Sequence, residues 1–403
     1  MSGKLNVITG GKGYVGFALV KELEARGEKM RLLLRTDSPY FDGIDCEKFM
    51  GDITDPEQLE QAFEGADTVY HVAGIVDITG TKDKQVWNVN YEGTKNVVAA
   101  CKKCGVKTLV YCSSVDAIPT SNVMSVIREA DSFDPDLLEG AYAKSKALAT
   151  QYVLDSADDD LKVCVVHPSC CIGPYDNNNT SSVGTMLNLY LKGLFPVTMN
   201  FGGYNFVDVR DVARGMVAAA EKGRNGECYI LSGFAHTLDE FIRTLAYVCG
   251  KKPPKIKLRK SMIMRLLPEI ERVFDVLKLP PLLNEYSIRK LCENCNFTCF
   301  KAKIELGYNP MTLEESLRDT VKWMEERDIA EEQRKEQEET YAEFAKDLDK
   351  LEKKMNKEQE KIQKEQEKLQ KEQDKLQQKY NKKIERVEEK AKRELEKLNK
   401  NND

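Results

Sequence analysis

Histidine is scarce in this chain, with three in 403 residues, at positions 71, 167 and 236. That scarcity deprives the twelve cysteines of partners for a mixed zinc site. Two clusters, Cys101-x-x-Cys104 and Cys292-x-x-Cys295 with Cys299, are therefore read as free thiols of a reducing compartment, and no metal site is expected. An excess of positive charge is missing too. With 61 basic and 66 acidic residues the formal net charge is −5, and no basic patch stands out as an electrostatic footprint for nucleic acid. A small-molecule ligand is expected instead. No apolar run is long enough to span a bilayer: the best candidate, Met262 to Leu283, is broken by Arg265, Glu269, Glu271, Arg272 and Asp275 and reads as an amphipathic helix. The N-terminus enters a strand at once, without the basic and then apolar segments of a signal peptide. The expectation is a cytoplasmic protein without a membrane span.

Glycine and proline are absent from Glu331 onward, where more than half of the residues are charged, in equal numbers of each sign. The net negative charge therefore belongs to residues 1–330. Residues 357–377 repeat a heptad of the form Lys-Glu-Gln-Glu-Lys-Leu-Gln, so a long charged C-terminal helix is expected over 331–403. Met355, Ile362, Leu369 and Leu376 supply one apolar position per heptad, but Gln359, Gln366 and Gln373 occupy the second position that a coiled coil needs. Self-association, a partner helix and a solvated single helix held by Glu–Lys pairs all stay open.

The body is organised around Thr9 to Gly16, Thr-Gly-Gly-Lys-Gly-Tyr-Val-Gly, between the apolar run Leu5–Ile8 and a helical pattern that ends near Gly27. Gly10, Gly13 and Gly16 suit a tight strand-to-helix turn that brings backbone N–H groups and a positive helix end to a pyrophosphate. A second strand, ending at Leu34, follows as a βαβ unit requires. Strands are then expected at Thr68–His71, Thr108–Ser113 and Lys162–His167, alternating with helices at Pro56–Phe63, Val89–Lys102 and Tyr142–Leu154. That alternation predicts an α/β fold with a doubly wound parallel sheet, and runs such as Val163-Cys164-Val165-Val166 fit burial on both faces. The order changes after Pro174, with a polar loop at Asp176–Ser182, a strand at Tyr204–Val207 and a helix at Asp208–Lys222. Residues 1–174 are thus assigned to a nucleotide-binding domain, rejoined by elements around 204–232. Residues 175–326 are assigned to an interleaved, smaller substrate lobe.

Tyr142-Ala143-Lys144-Ser145-Lys146 puts a phenol and an ammonium four residues apart on one helical face. A phenol ionises near pH ~10 in water, and a nearby cation lowers that value, so Tyr142 could exchange a proton with a carbonyl or alcohol. Ser113 and Ser114, at the end of a strand, can offer a hydroxyl to the same oxygen.

With these residues in order, the chain resembles the extended short-chain dehydrogenase/reductases over about residues 4–326. The resemblance rests on the glycine turn, Asp52-Ile53, His71-Val72-Ala73-Gly74, Asn90, the serine pair, Tyr142 with Lys146, His167-Pro168-Ser169, Gly173-Pro174, Phe206 to Val212 and Lys301 to Pro310. It is similar, within that family, to the dihydroflavonol reductase and 3β-hydroxysteroid dehydrogenase branch. The resemblance implies a Rossmann-type fold and three catalytic residues: Tyr142 as proton donor, Lys146 as its pKa-lowering and ribose-binding partner, and Ser114 as the carbonyl-polarising hydroxyl. It also implies a cofactor site built from Gly10, Gly13, Tyr14, Val15, Gly16, Arg35, Asp52, Ile53, Ala73, Gly74, Lys146, Pro168 and Ser169. His167 stands where an arginine is commoner and is given no role. Leu34 occupies the place of the acidic residue that binds the ribose of NAD, and Arg35 follows, which favours NADP. NAD stays as the alternative because Asp37 is close by. The activity implied is reduction of a ketone or aldehyde, or oxidation of the alcohol, in a small organic substrate. A sugar-nucleotide epimerase that retains NAD, and a non-catalytic NADP-binding scaffold with a helical interaction tail, are the alternatives.

Overall fold

Among the described residues of the first 326, twelve short strands are interspersed with helices. They are β1 (Leu5–Thr9), β2 (Lys29–Leu34), β3 (Glu47–Met50), β4 (Thr68–His71), β5 (Thr108–Cys112), β6 (Lys162–Pro168), β7 (Cys170–Ile172), β8 (Val197–Met199), β9 (Gly203–Asp208), β10 (Glu227–Leu231), β11 (Phe234–Thr237) and β12 (Ile256–Leu258). The computed structural model describes residues 4–77, 82–120, 125–177, 181–194, 197–276 and 284–399. Parts of two expected elements, 178–180 of the polar loop and 277–283 of the Met262–Leu283 stretch, lie outside the described residues.

Seven strands form one parallel sheet in the order β10-β6-β5-β4-β1-β2-β3. This is the doubly wound Rossmann-type sheet. Its central strands are apolar at nearly every position because both faces are covered. The helices Tyr14–Ala25 and Val209–Lys222 pack Leu19, Leu23, Val212 and Met216 on one face. On the other face, Pro56–Phe63, Gly93–Cys104 and Ala141–Asp155 bring in Leu59, Val97, Ala147 and Val153. A third core gathers Leu187, Phe241, Leu245, Ile263, Ile288 and Leu317, so much of the chain after Pro174 has a hydrophobic centre of its own.

Three elements differ from the expected pattern. Strand β3 went unread because it is an exposed sheet edge with a mixed sequence, Glu-Lys-Phe-Met, and shows little apolar periodicity. The helix expected over Val89–Lys102 begins earlier, at Asp83–Trp87, and widens into a π-helical turn at Asn88–Glu92 before continuing as Gly93–Cys104. Gly93 is needed there, since a Cβ on it would meet the Ile53 side chain at 2.8 Å. The last helix, expected over Leu313–Trp323, runs on as Leu313–Asn399 and takes in the charged repeat.

By its internal contacts the chain divides into two units, Met1–Glu326 and Arg327–Asp403. All three apolar cores are built from residues of the first unit. Deleting residues 331–403 is therefore expected to leave the melting temperature and dinucleotide affinity of the body unchanged within error, and to lower the light-scattering mass per particle by more than the deleted mass if the tail self-associates. Loss of folding on truncation would contradict the boundary.

Candidate active site

The glycine turn has three different reasons for its glycines. Gly10 adopts φ +75°, and a Cβ there would lie 2.5 Å from the backbone nitrogen of Ala73, so the turn and the loop after β4 touch backbone to backbone. A Cβ on Gly16 would collide with the Gly10 carbonyl oxygen. Gly13 has ordinary dihedrals and meets only that same oxygen, at 3.3 Å. It is also the N-cap of Tyr14–Ala25 and makes no side-chain cap, which leaves the first N–H groups of Tyr14, Val15 and Gly16 directed at whatever anion approaches.

That helix start opens into a cavity of about 860 Å³. Every residue singled out above as catalytic or cofactor-binding is on its wall. Asp52 and Ile53 follow β3, with the Asp52 carboxylate accepting from the Thr54 backbone N–H at 2.9 Å. Ala73 and Gly74 follow β4, and Pro168 and Ser169 end β6. The Tyr14 phenol donates to the Gly173 carbonyl at 2.6 Å, tying the turn to the end of β7. Arg35 and Thr36 form the far end together with Lys12, which the sequence had not singled out. Lys12 Nζ reaches the Thr36 hydroxyl at 3.2 Å.

A buried polar chain holds the strand ends in register. The Ala73 N–H donates to Thr9 Oγ1 at 3.3 Å, and Thr9 Oγ1 lies 2.8 Å from His71 Nδ1. On the other side, His71 Nε2 lies 2.9 Å from Thr94 Oγ1, which donates to the Asn90 carbonyl at 2.6 Å. Because the Thr94 hydroxyl donates its proton to the Asn90 carbonyl, His71 Nε2 must carry a proton and donate to it, and a neutral ring then accepts from Thr9 at Nδ1. Burial supports that state by pushing the His71 pKa down to about 3. Asn90 then clamps the loop after β4, accepting from Ile75 N–H at 2.8 Å and donating to Ile75 C=O at 3.0 Å. Its amide also reaches Ser145 Oγ at 3.2 Å, and that hydroxyl donates to the Tyr142 carbonyl at 2.9 Å. The π-helical turn is what places Asn90 between the loop and the helix Ala141–Asp155.

Tyr142, Lys146 and Ser114 come together on the cavity wall. Lys146 is buried, donates to the Cys112 carbonyl at 2.7 Å and lies over the Tyr111 ring at 4.8 Å. Burial pushes its pKa down to about 8. Burial pushes the Tyr142 phenol up, and Asp116 adds to the rise, while a hydrogen bond with Ser114 opposes it. The lowering expected from Lys146 is not seen. In this arrangement the ammonium is turned to the Cys112 carbonyl, and the phenol is held in its protonated form.

Ser114 is itself positioned by a residue that had been given no role. His167 Nδ1 donates to the Ser114 carbonyl at 2.9 Å, while its ring stacks on Phe133 at 5.2 Å. Burial pushes the His167 pKa down to about 4. The signal was present in the sequence, because a histidine inside the apolar run Val163–Val166 and Pro168 must be buried and must find a partner.

Opposite the nucleotide end, the wall is made by Asp116, Tyr204, Asn205, Tyr286, Lys290 and Glu293. Lys290 Nζ lies 2.9 Å from Glu293 and 3.7 Å from Asp116. Ser169 Oγ donates to Asn205 Oδ1 at 2.9 Å, joining the end of β6 to β9. Of these, only Ser169 was assigned to the site from the sequence; Asn205, Tyr286 and Lys290 lie 36, 117 and 121 residues downstream of it.

Comparison with known proteins agrees with this architecture. The model of the 3-beta hydroxysteroid dehydrogenase/isomerase family matches residues 7–254. Sterol demethylase protein B of Methylococcus capsulatus is 29% identical over 326 residues, which cover 80% of this chain and 98% of that protein. The 3-beta-hydroxysteroid dehydrogenase of Mycolicibacterium neoaurum is 27% identical, covering 76% of this chain and 87% of the relative. Among solved structures, the UDP-glucose 4-epimerase of Thermotoga maritima superposes with a TM-score of 0.65 at 21% identity, covering 80% of this chain and 99% of that one, a likeness of fold. With the family model covering more than half of its length, the chain belongs to the 3-beta hydroxysteroid dehydrogenase/isomerase family of extended short-chain dehydrogenases/reductases.

Proposed function

We propose that this protein is an NADP-dependent reductase of a ketone or aldehyde, with Tyr142 as the proton donor and Ser114 and Lys146 as its partners. The observation that carries the reading is the placing of Ser114, Tyr142 and Lys146 on one wall of the cavity that the uncapped helix start enters. When bound, a reduced nicotinamide supplies hydride to the carbonyl carbon. The Tyr142 phenol, kept protonated by burial, gives its proton to the carbonyl oxygen, and the Ser114 hydroxyl donates to that same oxygen. His167 fixes the Ser114 backbone through its carbonyl. Lys146, a buried cation without a carboxylate partner among the described residues, favours the phenolate left behind. Gly74 leaves room beside it, since a Cβ there would lie 3.4 Å from Lys146 Nζ.

The preference for NADP rests on charge. Arg35 and Lys12 are both on the cavity wall beside Thr36, whereas Asp37 is held by Lys48 at 2.9 Å and is absent from that wall. A 2′-phosphate at that end would meet two cations, with the Asp37 carboxylate drawn off by Lys48. Residues 175–326 supply the substrate side through Tyr204, Asn205, Tyr286 and Lys290. A cytoplasmic location fits the twelve free thiols.

Two measurements check this reading. Arg35→Asp is expected to lower NADPH affinity by about tenfold or more while leaving NADH affinity nearly constant; equal wild-type affinities for the two dinucleotides would remove the charge explanation. Tyr142→Phe is expected to lower turnover of an accepted carbonyl by about 10²–10⁴-fold, with NADPH affinity preserved because the ring still packs. Wild-type turnover in that variant would take Tyr142 out of the mechanism.

A further inference from the structure

The exposed apolar side chains of the last helix, Leu313–Asn399, fall into one line. Leu369, Leu376, Tyr380, Ile384 and Val387 are between 43% and 68% exposed. At about 100° per residue these five and Ala391 share a sector about 80° wide. Leu369 and Val387 are 18 residues apart, a whole number of turns at about 3.6 residues each, so the line runs straight along the helix without drifting around it. A heptad count hides this, because the spacing changes from seven residues between Leu369 and Leu376 to fours and threes from Leu376 onward.

Charge is sorted along one flank of that line. Glu365 and Glu372 border it towards the N-terminal end, and Lys383 and Lys390 border the same side towards the C-terminal end, each pair seven residues apart. All four are exposed, and none makes an ion pair among the described residues. The opposite flank carries Gln363, Gln370, Gln377 and Glu388. In a parallel pair of helices each flank meets the other flank of the partner, so Glu365 and Glu372 would face glutamines and only Lys383 would find a carboxylate, at Glu388. In an antiparallel pair, related by a two-fold axis across the helices, a flank meets itself and the acidic end falls on the basic one. The register agrees. The midpoints of Glu365 with Lys390 and of Glu372 with Lys383 lie between Gln377 and Gln378, and those of Leu369 with Val387 and of Leu376 with Tyr380 fall on Gln378. One axis thus matches the charges and the apolar side chains together.

We infer that residues 365–391 dock on the same residues of a second copy of this chain, antiparallel, about a two-fold axis beside Gln378. Leu369 then packs against the partner's Val387 and Leu376 against the partner's Tyr380. Ion pairs close one side of the contact: Glu365 with the partner's Lys390, Glu372 with the partner's Lys383, and the two reciprocal pairs. Gln366 and Gln373 interrupt the apolar line, so burial alone drives the contact weakly and the charges set its orientation. Tail pairing and carbonyl reduction are separate properties, and the first can be measured with no substrate in hand.

The test is the mass of the full-length protein across a concentration series, by sedimentation velocity and light scattering. Wild type is compared with a basic variant (Glu365→Lys with Glu372→Lys), an acidic variant (Lys383→Glu with Lys390→Glu) and an apolar variant (Leu376→Gln with Val387→Gln). All six positions are exposed and lie outside the three apolar cores, and the incoming residues are good helix formers. Circular dichroism and the melting temperature of the body should therefore match wild type and report that each variant is folded. Wild type is expected to form a dimer, and each variant alone to self-associate about tenfold or more weakly. An equimolar mixture of the basic and acidic variants is expected to recover the dimer, since a flank of lysines then meets a flank of glutamates. A monomeric wild type, an apolar variant that dimerises as wild type does, or a mixture that stays monomeric would overturn the proposal. So would undiminished self-association of the basic variant, which is what a parallel pair gives.

Discussion

The ammonium of Lys146 is held inside the protein by a carbonyl and an aromatic face, with no carboxylate to balance it among the described residues. The shift from its ordinary value of 10.5 to about 8 corresponds to a cost of about 3 kcal/mol for keeping the charge. A fold tolerates that only where the charge is used or rigidly enforced. Here the surroundings enforce it. Cys112 presents its carbonyl from the end of β5, and Asn90 ties both the loop after β4 and the helix Ala141–Asp155 to a π-helical turn. The neutral His71, bridging two threonines, keeps the ends of β1 and β4 side by side.

Much of this could be read from the amino acids. The glycine turn, the alternation of strands and helices, and the four-residue spacing of Tyr142 and Lys146 are local patterns, and local patterns survive in one dimension. Tyr142 and Lys146 belong to one helix, so their shared face follows from helical periodicity alone. What could not be read depends on the sheet. That Lys146 bonds to Cys112 follows from β5 lying beside β6 and β4, which no nearby residue announces. His167 was legible as a buried imidazole but not as the residue that holds Ser114, because its partner lies 53 positions away. Edge strand β3 was missed for the opposite reason: its side chains face water, and its place is set by the neighbouring β2.

The cavity has two electrostatic ends. At one, Arg35 and Lys12 stand near the ribose position with Asp37 drawn off by Lys48. At the other, Lys290 lies beside two carboxylates, Asp116 and Glu293, so that end carries an excess of one negative charge. Ser114, Tyr142 and Lys146, the proposed catalytic groups, line the same cavity, and a protonated phenol is what the proposed reduction requires. The phenol is kept protonated by the same burial that makes the lysine charge expensive. Burial thus acts on both groups in the same sense, favouring the uncharged form of each.

The most direct test of the reductase account follows the hydride itself. The protein is incubated with NADPH carrying deuterium at the transferable position and with a panel of ketones and aldehydes, and the products are read by mass spectrometry and NMR. The account predicts released NADP and an alcohol with deuterium on the former carbonyl carbon. An isomerised substrate with no net oxidation of the dinucleotide, or a dinucleotide that binds tightly and is never oxidised by any carbonyl, would contradict it.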